Sequence, residues 1–154
     1  MIGQKKKSKR VPIDAAIIVA SARAIRKLYP NIRKLYLVGS RLRRPIGRDI
    51  EFVAEVPPSK PMPRRAIPNA LPSAPFKVDV FFARPDEVDA HILQFGLGKD
   101  DIRWKRAAKA RGLRLNRFGL WRGSVRIAGG MEEIAVLLGM PMKPFLLWSK
   151  RNPF

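Results

Sequence analysis

Three acidic side chains stand where strands would bring them together: Asp49 and Glu51, two apart in GRDIEF, and Asp79 in the later segment KVDVFFA. Residues two apart on an extended strand leave the same face, with Cα atoms roughly 7 Å apart. Two carboxylates so placed repel each other unless a cation lies between them. A third, from another strand, completes a hard-oxygen site suited to two Mg²⁺ ions about 4 Å apart, which activate an attacking hydroxyl and neutralise a leaving pyrophosphate. Ahead of them, Gly39-Ser40 stands where a strand gives way to a turn. Glycine there lets a phosphate approach the backbone, and the Ser40 hydroxyl with nearby N–H groups donates hydrogen bonds to it. Arg41, Arg43 and Arg44 follow within a turn and offer guanidinium forks for a triphosphate. A cradle, cations and an in-line nucleophile are most of what phosphoryl transfer asks of a protein. Each piece alone is an ordinary turn or a solvated strand edge; in this order and spacing they are specific.

The elements around these residues read as follows. An apolar run, KLYLV over 34–38, is a short buried strand that delivers Gly39. The strand over 49–56 alternates, with Asp49, Glu51, Val53 and Glu55 on one face and Ile50, Phe52, Ala54 and Val56 on the other. A third strand, 77–83, sets Lys77, Asp79 and Phe81 on one face. Before them, helical spacing over 13–28 gives a stripe of Ile13, Ala16, Ile17, Ala20, Ala24 and Leu28, ended by Pro30-Asn31. Residues 1–10, containing KKKSKR, read as a disordered basic tail, and 57–75, with seven prolines, as an exposed mobile connector.

Beyond 85 the spacing predicts helices over 86–93 and 99–110, the second stopped by Gly112. A hairpin of LRLNRFGLW and SVRI turns at Arg122-Gly123, and a last helix over 131–138 is capped by Gly139. On the helix over 99–110, Lys105, Arg106 and Lys109 share a quadrant to a third of the circumference, opposite Trp104, Ala107 and Ala108. Trp104, Trp121, Trp148 and the stripe Ile134, Leu137, Leu138 read as core. His91, the only histidine, reads as an ordinary helix residue.

The chain has 154 residues, 46% of them hydrophobic, enough for one core and at most a small second lobe. Lys and Arg number 32 against 12 acidic residues, a formal charge of +20. Such self-repulsion at this size points to a polyanionic partner, nucleic acid before an anionic membrane surface. No apolar run approaches the roughly 20 residues of a spanning helix, so no membrane partner is expected. The lack of cysteine excludes disulfides and thiolate zinc sites. With no secretory signal visible, an intracellular location is expected, cytoplasmic or nucleoid, with a viral or nuclear protein still open.

GSRLRR, then GRDIE, then VDV resembles the polymerase-beta-like nucleotidyltransferase superfamily, whose signature is Gly-Ser, a downstream pair of acidic residues and a third Asp on a later strand. FGLGKDDIRWKRAAKARGLRLNRFGLWRG, followed by RIAGGMEEIAVLLGMPMKPFLLW, resembles the thumb of family X DNA polymerases. The likeness covers roughly 13–148 without the connector. It implies an α+β chain: a palm over 11–84 with a small mixed sheet and helices, then a helix/hairpin thumb over 85–154.

In this family Asp49 and Glu51 would be the two adjacent metal ligands and catalytic residues. Asp79 would be the third, which also orients the primer hydroxyl or takes its proton. Gly39, Ser40, Arg43 and Gly47 would hold the nucleotide phosphates, Phe95-Gly96 the incoming sugar and base, and Asp101 a minor-groove contact. Lys105 would meet the template strand, with Arg106 and Lys109 beside it. The cofactor implied is two Mg²⁺ ions, Mn²⁺ being the alternative. The partners are a dNTP and a DNA primer/template or gapped duplex, and the protein is expected to be monomeric. The reaction implied is primer 3′-OH attack on a dNTP α-phosphate, filling short gaps in repair.

The chain departs from the family at Glu51 (usually Asp), at Gln94 (usually Tyr), at Leu97-Gly98 (usually Thr-Gly) and in a loop over 40–49 about one residue short. Two other readings stay open: a tailing or otherwise non-polymerase nucleotidyltransferase, and a non-catalytic basic nucleic-acid-binding protein.

Overall fold

The computed structural model describes residues 11–12, 15–42, 46–47, 49–63, 70–72, 74 and 76–154. Its centre is a mixed three-stranded sheet of β2 (Lys34–Val38), β4 (Asp49–Glu55) and β5 (Lys77–Ala83). The middle strand, β4, runs antiparallel to β2, from Lys34 opposite Glu55 to Val38 opposite Glu51, and parallel to β5, from Asp49 beside Lys77 to Glu55 beside Ala83. A second, two-stranded pairing joins β1 (Val11–Pro12) to β3 (Ile46–Gly47).

One face of the sheet is covered by α1 (Ala15–Leu28), whose Ile18, Ala22 and Ile25 pack with Leu35, Leu37, Ile50, Phe52, Ala54, Val78 and Val80. The buried stripe is therefore not the expected one: Ala16, Ala20 and Leu28 are exposed. Spacings of four and three fit 18–22–25 as well as they fit the expected stripe, and of that stripe Ile17, half-buried, packs against the same cluster.

The other face, with Tyr36, Val38, Val53 and Ala83, packs under the second half of the chain. That half begins with α2 (Val88–Gly96), entered through a 3₁₀ turn Pro85–Glu87, and α3 (Asp101–Ala110), entered through Gly98–Asp100 and ended by Gly112 at φ +70°. Trp104 is fully buried on α3, as expected. The expected hairpin is a three-stranded antiparallel sheet of β6 (Arg114–Asn116), β7 (Gly119–Arg122) and β8 (Val125–Ala128). Asn116 Oδ1 accepts from Phe118 N–H at 2.9 Å and Trp121 Nε1–H at 3.0 Å. This side-chain turn splits what the apolar pattern suggests is one strand.

Helix α4 (Met131–Leu138) ends at Gly139, φ +63°, with Met140 N–H on Ala135 O and Gly139 N–H on Val136 O, the left-handed cap expected there. A further helix, α5 (Pro144–Arg151), follows with Pro at its first turn. It buries Leu146 and Ser149, and Ser149 Oγ–H donates to Leu37 O on β2. That rotation turns Trp148 outward, and Leu137 of α4 also faces solvent, so neither belongs to the core.

Asp89 of α2 ties the helices together: its Oδ2 accepts from Met131 N–H at 3.0 Å, and its Oδ1 lies 2.9 Å from Lys150 Nζ. The same ammonium sits 5.2 Å from the centre of the Tyr36 ring. In the proline-rich stretch, 57–63 holds a turn and no strand or helix, and Ala70 is buried with its N–H on Val78 O, so that stretch is not exposed throughout. The tail over 1–10 lies outside the described residues. No helix among the described residues is long and apolar enough to cross a membrane.

Candidate active site on the central sheet

The parallel register of β4 and β5 builds the site rung by rung: Asp49 beside Lys77, Glu51 beside Asp79, Val53 beside Phe81. Alternation puts all six on one face. Deeper along that face Val53 is buried under the second half of the chain, while Asp49, Glu51 and Asp79 at the open end are half-buried. On the other side of β4, Glu51 pairs with Val38, and the next residue, Gly39, starts a 3₁₀ turn (Gly39–Leu42) that packs on β4. Gly39 has φ +76°, and a Cβ there would stand 3.1 Å from Glu51 Oε2. The left-handed backbone favours glycine, and a Cβ there would press on the end of the Glu51 side chain.

Electrostatics follow from this crowding. The Glu51 carboxyl is pushed up to about 7, first by burial, then by the charge of Asp49 and a hydrogen bond with it, then by Asp79; Lys77 acts in the opposite direction. Carboxylates gathered this way hold either a shared proton or a cation between them. Lys77 supplies part of that charge, its Nζ lying 4.0 Å from Asp79 Oδ2. The donor set, all carboxylate oxygen, has the chemistry that Mg²⁺ or Mn²⁺ takes. Among the described residues, no three His, Asp or Glu side chains are set around one point as a formed metal cage.

The residues expected to bind phosphate are placed in part. Gly39 and half-buried Ser40 lie in the turn against β4, and Gly47 pairs with Val11 in the small ribbon. Arg43 and Arg44 lie outside the described residues. Phe95 reaches the carboxylate face by stacking on Phe81, centroids 3.8 Å apart and planes 8° from parallel, so α2 is anchored one rung beyond Asp79. Gly96 is buried at the end of that helix.

His91 is more than an ordinary helix residue. Its Nδ1 lies 2.9 Å from Glu87 O, and its ring sits 6.1 Å from that of Phe95 and 5.6 Å from that of Phe118 at the β6–β7 turn. Burial pushes its pKa below the usual value, so it pins α2 to that turn as a neutral ring.

On α3, Asp101 Oδ2 holds Lys105 Nζ at 2.7 Å, while Arg103, Arg106 and Lys109 are exposed. Gly39, Ser40, Asp49, Glu51, Asp79 and Phe95 thus come into one neighbourhood, and the basic residues form a separate face on the outer side of α3. Two members of that neighbourhood, Lys77 and Phe81, carried no functional assignment in the sequence, although strand alternation already set them on the face of Asp79.

This mixed α+β arrangement is shared with solved structures of polymerase beta, two of which serve as examples. Polymerase beta of Leishmania infantum in its ternary P/T complex is 15% identical with a TM-score of 0.65, over 96% of this chain and 78% of that one. The same enzyme in its ternary gap complex is 13% identical with a TM-score of 0.65, over 90% of this chain and 70% of that one. No protein-family model and no curated protein matches the chain.

Proposed function

We propose that this chain is a family X-type DNA polymerase, which joins a dNTP to a primer 3′-OH and fills short gaps in DNA inside the cell. The observation that carries the reading is the Glu51–Asp79 rung with Asp49 on the same face, set against the Gly39 turn. The polymerase-beta-like fold supports it. On this reading residues 11–84 are the palm and 85–154 the thumb. Asp49, Glu51 and Asp79 would hold two Mg²⁺ ions, which when bound neutralise triphosphate charge and make the primer hydroxyl a better nucleophile.

The chain's own residues do the rest. Asp79 orients the 3′-hydroxyl or takes its proton. Gly39 and Ser40 bring backbone and hydroxyl donors to the triphosphate, and Arg43 and Gly47 take the other phosphate-binding positions that the resemblance implies. Phe95-Gly96 bears on the incoming sugar and base, and Asp101 lies at the minor groove. Lys105, Arg106 and Lys109 follow the template phosphates, a use that fits the +20 charge.

One observation favours the non-catalytic reading: Lys77 already brings a cation to Asp79. Single-nucleotide incorporation on four gapped duplexes differing only in the template base separates the two. Incorporation of the complementary dNTP with Mg²⁺ supports the polymerase. Incorporation blind to the template moves the protein to the tailing enzymes. Tight binding with no incorporation in Mg²⁺ or Mn²⁺ makes it a binding protein.

A further inference from the structure

The carboxylates occupy one end of the central sheet, and an apolar pocket of about 200 Å³ opens at the other. Asp49 starts β4, and Val56, which lines the pocket, follows its end about 23 Å away along an extended strand. Three separate segments build the pocket. Leu28 and Ile32 come from the end of α1 and the turn after it, Pro61 and Pro63 from the proline-rich stretch. The rings of Tyr29 and Phe82 meet edge to face between them, centroids 5.4 Å apart. The proline segment is tied down: Arg84 Nη1–H donates to Pro57 O and Lys60 O, both at 2.7 Å, and Lys60 N–H closes the turn on Pro57 O at 3.1 Å. The walls are thus formed before any ligand arrives, and little ordering is left for binding to offset.

Size and surroundings narrow what the pocket can hold. Its volume falls below the 300 to 1,000 Å³ or so of small-ligand pockets and suits one large side chain. Among the described lining residues, only Asn31 and Tyr29 carry polar side-chain atoms. A nucleobase seated there would leave most of its hydrogen-bonding edge unmatched, whereas an aromatic or branched aliphatic side chain would leave nothing unmatched. Leu28 is 54% exposed and gives such a side chain apolar surface to cover.

The rim is positive. Lys27, Arg33, Lys34 and Lys60, which flank Leu28, Ile32 and Pro61 in the chain, are all exposed. No Asp or Glu occurs over 15–48 or 56–78. Glu55, between those stretches, is buried and faces Arg33 at 3.8 Å.

We infer that this pocket is the docking site of a protein partner, which presents a short acidic segment with one Phe or Leu as its anchor. The anchor enters between Leu28, Phe82 and Pro63, and the flanking carboxylates meet Lys27, Lys34 and Lys60. A large side chain in a preformed pocket supplies the affinity, and the charges around it supply encounter rate and selectivity. The site stands at the far end of the sheet from Asp49, Glu51 and Asp79, so a partner held there leaves the carboxylate face open.

The probes are short synthetic peptides of Asp and Glu that differ only in a single central Phe, Leu or Ala. Affinity is measured by fluorescence anisotropy at about 0.15 M salt, where long-range attraction is screened. Methyl NMR signals of Ile32 and Val56 report whether the pocket itself is filled. Leu28→Asp places a charge at an exposed position, so the fold is retained, and Leu28→Met keeps the apolar surface as a control.

The Phe or Leu peptide should bind at least about tenfold more tightly than the Ala peptide, as burial of one such side chain requires. It should also shift the Ile32 and Val56 methyl signals. Leu28→Asp should remove the preference and Leu28→Met should keep it. Equal binding of all three peptides would mean a polycation attracting polyanions with no pocket involved, and a preference that survives Leu28→Asp would put the anchor elsewhere. Either result overturns the site. Movement of the same methyls by oligothymidylate and not by the peptides would give the pocket to single-stranded DNA and overturn the protein partner. No readout involves nucleotide incorporation, so failure here is distinct from failure of the polymerase reading.

Discussion

Gly39 and Glu51 stand so close that a Cβ on Gly39 would lie 3.1 Å from Glu51 Oε2, tighter than an ordinary contact. The backbone there is also left-handed, φ +76°. Gly39→Ala is expected to lower stability by about 1 to 2 kcal/mol from the backbone alone and to push the Glu51 carboxylate out of line with Asp79. Urea denaturation measures the first effect. The second appears as a fall in nucleotide incorporation larger than the loss of folded protein explains. A variant as stable and as active as the parent would show that the turn tolerates a shift.

Without divalent cation, Glu51 makes stability depend on pH. Its proton leaves near 4.5 in the unfolded chain and at about 7 in the folded one. The folded state therefore binds more protons between those values. The stabilisation is complete below the lower value and is lost as pH rises through about 7. In chelator, the parent should unfold at lower urea above pH 7 than near pH 5, and Glu51→Gln, always neutral, should lose most of that slope. Mg²⁺ should restore stability to the parent above pH 7 and leave the variant unmoved. Parallel pH curves for the two proteins would refute the assignment.

The outer face of α3 should set the salt dependence of DNA binding. Each phosphate contact contributes about 0.9 to the slope of log affinity against log salt on duplex DNA, so Arg106→Gln with Lys109→Gln should flatten it by roughly 2. Lys105→Gln should do less, because Asp101 already holds that ammonium at 2.7 Å. Fluorescence anisotropy over a salt series checks both, and an unchanged slope in the double variant removes this face from the DNA path.

Asp89 joins three helices through two contacts, the Met131 N–H and the Lys150 ammonium. Asp89→Ala should cost about 1 to 2 kcal/mol, most of it from the lost cap of α4. A double-mutant cycle with Lys150→Met should show coupling of about 0.5 kcal/mol or more. Additive losses would mean that the ion pair contributes nothing beyond the cap.

The central sheet was legible because its signals are local. Residues 34–38 and 77–83 are apolar or alternating runs between breakers, and both strands fall where the pattern puts them. The carboxylate face follows from alternation alone. Three things did not follow. The buried side of α1 does not follow because its apolar residues offer two stripes of equal spacing, and only packing against Phe52 and Val80 chooses between them. The helix over Pro144–Arg151 is short, opens on a proline and buries only two residues, so its periodicity is too weak to separate from a loop. The stack of Phe81 on Phe95 and the pinning of His91 are tertiary contacts between elements whose relative placement no spacing encodes.

The parallel pairing of β4 with β5 has a consequence in time. Parallel neighbours need a crossover, and here the crossover includes the proline-rich stretch, with no helix among its described residues to shorten the search. The helices of the second half form from near neighbours in microseconds, whereas closure between strands distant in sequence is slow. Contact order therefore predicts that Glu51 meets Asp79 late in folding. Until then Asp79 adds nothing to the repulsion between Asp49 and Glu51. Only the finished fold concentrates negative charge at one point on an otherwise strongly positive molecule, so a nascent or partly folded chain meets polyanions as a plain polycation.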